Sequence, residues 1–426
     1  MNQTQALAIL QAGRSALITG RAGSGKTYLL NRFIEAQRQA GKVLAITATT
    51  GLAATHIGGE TIHRWSKIGV HDQLPATFFQ KLTAKDRQRL LEVDTLIIDE
   101  ISMLADHQFD MINQVLKTVR GSLAPFGGVQ VVMSGDFFQL PPIKRQTIQL
   151  DVFGDGAGAG FVTSSQAYQE LAPTVCYLES QFRQSDDNLL SVLEAIRTGN
   201  FDEYEFEFLK SRLHQQPTEA DGVVTNLHTS NMDVDRVNNI SLARIRDELV
   251  SYQMTGSGSR YGLEVLKKTV LAPEQLDLKL GAEVMTIKND AKSRFVNGSL
   301  GKVVDFATKN GQRLPVVKFN SGRQVLIEPD SWDLAENDTK VASVTQLPLR
   351  LAYAITIHKA QGMTLDKAKI NLAKAFTPGM GYVALSRVRR LEDLYLMGIN
   401  QMALTVSEEA RQLDEDLKHQ SRMEKV

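Results

Sequence analysis

Gly20-Arg21-Ala22-Gly23-Ser24-Gly25-Lys26-Thr27 is the stretch that decides the architecture. It follows a short apolar run, Ala16-Leu17-Ile18-Thr19, and opens a helical pattern over 27–40. Its glycines let backbone N–H groups close around phosphate oxygens without Cβ clashes. The start of the following helix adds its positive dipole end. In such a P-loop Lys26 reaches the outer phosphates, Thr27 places its hydroxyl on Mg²⁺, and Gly23 and Gly25 line the cradle. The pattern predicts a binding site for ATP and Mg²⁺.

Outward from this loop, short apolar runs recur at 43–47, 95–98 and 130–134, with a helical stretch at 106–120. Continuous apolar runs of this length suit parallel strands covered on both faces. A βαβ series predicts an open parallel sheet with ligands at the carboxyl ends of its strands. Two further segments fall at such ends. Thr95-Leu96-Ile97-Ile98-Asp99-Glu100 ends in two carboxylates, Asp99 for Mg²⁺ and Glu100 as the base that orients attacking water. In Gly135-Asp136-Phe137-Phe138-Gln139-Leu140-Pro141-Pro142, Gln139 is placed to sense a γ-phosphate. A rigid Pro-Pro turn with an exposed Gln would read the same way.

Beyond 173 the chain predicts a second α/β region over 174–250 and 345–400. It is interrupted by a β-patterned insert at 251–344, which carries Asn297-Gly298, Asn310-Gly311 and Asn320-Ser321-Gly322 as hairpin signals. A glycine-rich loop lies at 154–160, and the charged tail over 401–426 reads as a solvated helix.

Bulk composition narrows the class. The 426 residues are 42% hydrophobic and 23% charged, as in ordinary globular proteins. Lys plus Arg equals Asp plus Glu, 48 against 48, so a nucleic-acid track must be a local groove rather than a whole-protein field. Cys176 is the only cysteine, which excludes a disulfide within the chain and predicts a reducing, intracellular setting. No apolar run approaches the ~18–20 residues of a membrane span, and the first residues are not signal-like. A cytoplasmic protein with no membrane partner is expected.

The ordered motifs together resemble the Pif/RecD/Dda group of superfamily-one helicases, over residues 2 to about 398. Asn2-Gln3-Thr4-Gln5 is similar to the group's adenine-reading motif, with Gln5 as the base reader. Thr47-Ala48-Thr49-Thr50-Gly51-Leu52-Ala53-Ala54 and Gly59-Glu60-Thr61-Ile62-His63-Arg64-Trp65 resemble its first DNA-contacting motifs. Gln181-Phe182-Arg183-Gln184 resembles a motif whose arginine reaches the phosphates. Thr356-Ile357-His358-Lys359-Ala360-Gln361-Gly362-Met363-Thr364 resembles the segment that couples DNA to ATP. Tyr382-Val383-Ala384-Leu385-Ser386-Arg387-Val388-Arg389 resembles the last motif, with Arg387 as the arginine finger.

The resemblance implies two RecA-like P-loop NTPase lobes with parallel sheets and a small inserted SH3-like β-barrel. It implies Lys26, Glu100, Gln139, Arg183 and Arg387 as catalytic residues and Gln5 and Gly362 as further nucleotide contacts. Thr50, Thr61, His63, His358, Lys359 and Thr364 are implied on DNA. Short hydroxyls suit phosphate oxygens, although a helix cap or turn uses the same threonines. Trp65 and Phe78 could stack on bases, or sit in the core. The family's strand-separating wedge falls at about 66–92, where the pattern is mostly helical, with Ile68-Gly69-Val70 as a candidate start. The implied activity is ATP-dependent 5′→3′ DNA unwinding in replication, recombination or repair, by a monomeric motor on single strands and duplex junctions. Two rivals share the P-loop: an AAA-type remodelling ATPase and an inactive nucleic-acid-binding relative. Residues 356–364 and Arg387 oppose the first, and intact Lys26, Glu100 and Arg387 oppose the second.

Overall fold

The computed structural model describes residues 1–424 apart from 70, 143–159, 182, 183, 185, 219–223, 271, 289, 291–293, 296, 297, 337 and 338. The chain divides into two compact units, Met1–Thr229 with Ile357–Val426, and Ser230–Thr356.

The larger unit is built on a six-stranded, all-parallel sheet. Its strands are β1 (Ala16–Gly20), β2 (Leu44–Ala48), β3 (Glu60–Thr61), β4 (Thr95–Asp99), β5 (Gln130–Gly135) and β6 (Thr174–Leu178), in the order β3-β2-β4-β5-β1-β6. Every residue of β1, β4 and β6 is buried, as their apolar composition requires. Helices Gln3–Gln11 and Lys26–Gln39 cover one face. Leu29, Leu30, Phe33 and Ile34 repeat at helical spacing and pack on Ile18, Ile97, Val132 and Cys176. Because β4, β5 and β1 are neighbours, the ends that carry Asp99, Gly135 and Gly20 lie side by side.

Two expectations change here. Thr174–Leu178, expected to open the second lobe, instead pairs with β1 along its whole length, from Ala16↔Thr174 to Gly20↔Leu178. An apolar five-residue run predicts a doubly covered strand but not which sheet takes it. The tail helix Glu408–Met423, expected to be solvated, buries Ala410, Asp414, Leu417 and Ser421 at 4-3-4 spacing. It docks on β6, whose Tyr177 N–H donates to the Ser421 hydroxyl at 3.1 Å.

A second parallel sheet in the same unit has Ala368–Leu372 at its centre, between Thr225–His228 and Leu394–Ile399. Helix Met380–Leu385 is buried along its whole length. Gly381 sits so close to the next turn that a Cβ there would lie 1.8 Å from the Ala403 carbonyl oxygen. Gly381→Ala is expected to destabilise the unit by about 1–3 kcal/mol, the usual penalty of overpacking. A melting temperature equal to wild type counts against this packing.

Ser230–Thr356 is mostly β. Five antiparallel strands pair in the order Gln324–Leu326, Gln312–Phe319, Leu300–Lys309, Glu283–Thr286 and Leu349–Leu351. Val284, Val303, Val317, Phe319, Val325 and Leu349 lie in its core. Asn310 and Gly311, at φ 51° and 75°, form the expected two-residue turn, and Gly322 at φ 84° closes the next. Gly298 donates to the Thr286 carbonyl at 2.8 Å, while its expected turn partner Asn297 lies outside the described residues, as does 154–159 of the glycine loop. Helix Asn231–Arg244, expected in the second lobe, belongs to this unit. Within 66–92 the described residues form helices Phe78–Lys81 and Ala84–Glu92 and no strand, and Val70 is outside them.

Candidate nucleotide site

A cavity of about 560 Å³ opens at the carboxyl ends of β1, β4 and β5. This volume lies in the range of small-molecule sites. The first sheet supplies Ala22, Gly23, Gly25, Lys26, Thr27, Asp99, Glu100, Gly135 and Gln139 to its lining, and the later segments supply Gly362, Thr364, Arg387 and Arg389. Sequence-distant motifs therefore meet in one place.

The loop after β1 has the predicted geometry. Gly23 and Gly25 adopt φ 85° and 83°, which side chains other than glycine seldom adopt. Gly25 caps the helix that begins at Lys26. The Lys26 ammonium donates to the Gly20 and Arg21 carbonyls at 2.8 and 2.9 Å, folding back along the loop. Neighbouring side chains brace the loop. Ala22 N–H donates to the Tyr382 hydroxyl at 3.1 Å, and Gln181 donates to the Ala22 carbonyl at 3.2 Å.

The acidic pair is held tightly. Asp99 is buried, and burial followed by the Glu100 charge raises its pKa to about 7, against the opposing pull of the Glu100 N–H, Ser134 and Lys26. A cation bound beside the two neighbouring carboxylates would relieve their mutual repulsion. Glu100 has φ 53° and ψ 42°, a left-handed conformation rare for a side-chain-bearing residue. Its Oε2 accepts from Gln361 Nε2 at 3.1 Å, which links the acidic pair to residues 356–364. Among the described residues no cluster of three His, Cys, Asp or Glu could hold a metal. The lining offers instead the donor set of a Mg²⁺ that shares its shell with phosphates, one carboxylate and one hydroxyl, from Asp99 and Thr27.

Other expected residues sit differently. Gln5 closes a capping box, its Oε1 accepting from Asn2 N–H at 3.1 Å and its own N–H donating to Asn2 Oδ1 at 2.9 Å. Gln3 is the residue that reaches the P-loop, at the Ser24 carbonyl, 3.4 Å away. Two glutamines two positions apart in a short motif cannot be told apart by spacing alone. Arg183 lies outside the described residues. Arg387 is buried, and its guanidinium donates to the Val383, Met363 and Ala360 carbonyls and to Ser386 Oγ. Arg389, also in the lining, is exposed.

The residues implied on DNA are scattered over both sheets. Thr50 and Thr61 act as helix caps, accepting from Ala53 N–H at 3.2 Å and Arg64 N–H at 3.4 Å. His63 lies 3.3 Å from Gln108 Oε1, and His358 stacks on Phe376 with centroids 6.3 Å apart. Burial lowers the pKa of both histidines, favouring the neutral imidazole. Thr364 is exposed and lines the cavity, next in space to Gly362. Trp65 and Phe78 are buried, the core reading of both.

Sequence reasoning missed Gln361, Arg197, Asp136, Tyr382 and Asp414 as individual contributors. Arg197 carried a signal. It falls at the core spacing of Leu189, Leu193 and Ile196 in helix Asp187–Thr198, where an arginine must have buried partners.

Residues 2–207 match the family model for PIF1-like helicases, and residues 263–306 match that for the 2B domain of the DNA helicase Pif1. The chain is 38% identical over 98% of its length to the ATP-dependent DNA helicase Pif1 of Psychrobacter sp., of which it covers 71%. It spans 60–61% of the length of the Xenopus laevis and human relatives it matches. Among solved structures, the Pif1 helicase from Candida albicans superposes with TM-score 0.88 at 32% identity, covering 97% of this chain and 98% of that one. The Bacteroides Pif1 helicase in complex with ADP-AlF3 and ssDNA gives 0.82 at 30% identity, covering 99% and 97%. With its two parallel sheets read as RecA-like lobes, this chain belongs to the PIF1-like helicase family.

Proposed function

We infer that the chain is an ATP-driven motor that moves 5′→3′ along single-stranded DNA and unwinds duplex. The observation that carries this is the hydrogen bond from Gln361 to Glu100, a residue of the cavity lining. It joins the acidic end of β4 to the segment that also bears His358, Lys359 and Thr364. A binding event felt by that segment is thereby felt at the base that would orient water. The Bacteroides relative's complex with ADP-AlF3 and ssDNA, and the Psychrobacter relative's name, support the same reading.

In this mechanism Gly23, Gly25 and the start of helix Lys26–Gln39 cradle the phosphates of ATP. Lys26 exchanges its two carbonyl partners for β/γ-phosphate oxygens, and Gly362 closes the nucleotide from the opposite side. Thr27 and Asp99 hold Mg²⁺, which supplies charge neutralisation on the phosphates when bound. Glu100 accepts the proton of the attacking water, and Gln139 contacts the γ-phosphoryl oxygens. Arg387, with Arg183, supplies positive charge as the phosphoryl group transfers. Thr50, Thr61, His63, His358, Lys359 and Thr364 grip the DNA backbone, the threonines through whatever hydroxyl capacity their caps leave. We assign the first lobe through Leu178 and the second to the sheet centred on Ala368–Leu372.

Among the described residues no helix is long and apolar enough to cross a membrane, and a cytoplasmic motor acting as a monomer fits this reading. The deciding experiment measures ATP turnover with and without single-stranded DNA, then unwinding of duplexes bearing a 5′ or a 3′ tail, in DNA and RNA forms. Stimulated turnover and unwinding from the 5′-tailed DNA alone are expected. Turnover indifferent to nucleic acid would favour a remodelling ATPase, and loading only from a 3′ tail would reverse the polarity.

A further inference from the structure

Behind the cavity lies a buried ionic cluster that none of the roles above uses. Arg197 is 4% exposed and sits at its centre. Its Nη1 donates to Asp136 Oδ1 and to the Tyr382 hydroxyl, both at 3.2 Å. Its Nη2 donates to Asp414 Oδ1 at 2.7 Å and to the Tyr177 hydroxyl at 2.8 Å. The guanidinium carbon stands 3.9 Å from the Phe138 ring centre. Lys418 bonds the second oxygen of Asp414 at 2.7 Å, so two cations balance the two carboxylates Asp136 and Asp414.

The Nη1 arm of this cluster leads to parts of the nucleotide site, and the Nη2 arm to the C-terminal helix. The Tyr382 hydroxyl donates to Asp136 Oδ2 at 3.1 Å and accepts from Arg197 and from Ala22 N–H of the P-loop. That uses its one proton and both lone pairs. Asp136 Oδ2 also accepts from Gln139 Nε2 at 3.4 Å, and Asp136 Oδ1 accepts from Phe138 N–H at 3.2 Å. Tyr382 lies five residues before Arg387 on the same buried segment. Gln139 Oε1 is buried with no hydrogen-bond partner, so this amide, which belongs to the cavity lining, is held through its nitrogen on Asp136 alone.

We propose that Arg197 is a positioning residue for ATP hydrolysis, locking the P-loop, the Gln139 turn and the Arg387 segment in register through Asp136 and Tyr382 and anchoring all three to the C-terminal helix through Asp414. A buried ion cluster of this kind adds little net stability over an apolar replacement, because desolvation offsets the attraction. What a rigid, planar guanidinium adds is fixed direction towards four acceptors at once. Burial and the Asp136 charge raise the Tyr382 phenol to about 12, so it stays protonated and keeps donating to Asp136. Small displacements of positioning groups lower turnover by as much as ~10²-fold.

The inference rests on the ATP-driven reading above, and the test separates the two. ATP turnover at saturating DNA, KM for ATP, affinity for a fluorescent ADP analogue and melting temperature are measured for wild type, Tyr382→Phe, Asp414→Asn, Arg197→Lys and Arg197→Met. Tyr382→Phe and Arg197→Lys are expected to lower kcat by ~10–10²-fold, with KM and ADP affinity within about threefold of wild type. Asp414→Asn should act in the same direction but more weakly, and Arg197→Lys should retain more turnover than Arg197→Met. A purely structural cluster lowers the melting temperature and leaves kcat per folded molecule intact. If Arg197 variants do not fold, Tyr382→Phe and Asp414→Asn decide, and wild-type kcat in both overturns the proposal. A wild-type chain without ATP turnover overturns the functional reading and this inference with it.

Discussion

Lys26→Ala is expected to reduce DNA-stimulated ATP hydrolysis by at least ~10²-fold, the loss typical of one preorganised donor to a developing charge, and to abolish unwinding. Lys26 Nζ now rests on the Gly20 and Arg21 carbonyls at the mouth of the cavity, a position from which rotation of its flexible stem carries it onto a phosphate. Among the described residues no other lysine lies in that lining. Lys26 is half-buried in the cavity lining rather than packed in the core, so the fold should survive with a melting temperature near wild type. Single-strand affinity should stay within about threefold, since the proposed DNA contacts come from other segments, a uniform-binding term that the mutation does not touch. The check is turnover, tailed-duplex unwinding and oligonucleotide affinity on one preparation. Normal turnover in Lys26→Ala would remove the P-loop from the mechanism.

The meeting of the P-loop, the acidic pair and Gln139 in one candidate nucleotide site was legible because it is set by local chemistry. Glycines at 23 and 25 are required by positive φ, the carboxylates by their place at the end of a buried strand, and strand ends converge by the rule of parallel sheets. The hairpins of the insert were legible for the same reason, since Asn310-Gly311 writes its turn type into two residues. What was not legible depends on contacts between distant segments. Thr174–Leu178 has the composition of any buried strand, and only pairing with β1 reveals its sheet. Asp414 looks like one more acid on a charged helix until Arg197 and Tyr177, more than two hundred residues away, are brought to it. Gln5 illustrates a third limit. Its side chain satisfies a helix end, a task that competes for the same short polar residues as ligand binding.

Arg387→Lys is expected to lower DNA-stimulated ATP turnover by at least ~10²-fold, at the cautious end of the ~10³–10⁵ range for an arginine acting on a transferring phosphoryl group. The geometry adds a second reason. The guanidinium bridges the Val383 carbonyl at 2.8 Å, the Met363 carbonyl at 3.2 Å and Ser386 Oγ at 2.7 Å, so it ties helix Met380–Leu385 to the segment that contacts Glu100. A lysine supplies a point charge in place of a planar fork and cannot span those acceptors. Buried carbonyls left without a donor should destabilise the unit by about 1–3 kcal/mol. Nucleotide affinity should change by less than ~10-fold, because the missing interaction belongs to the transition state. Single-strand affinity should persist but cease to respond to ATP analogues, since the tie between the segments is cut. Arg183→Lys should behave similarly and more mildly. Arg389 provides the control. It lines the same cavity from an exposed position, free of the carbonyl contacts that occupy Arg387. If Arg387 is the transition-state cation, Arg389→Ala should reduce turnover by less than ~10-fold. If instead Arg389→Ala carries the ~10²-fold loss while Arg387→Lys melts earlier but turns over normally, the cation at the γ-phosphoryl group is Arg389, and Arg387 is the buried tie that holds it in place.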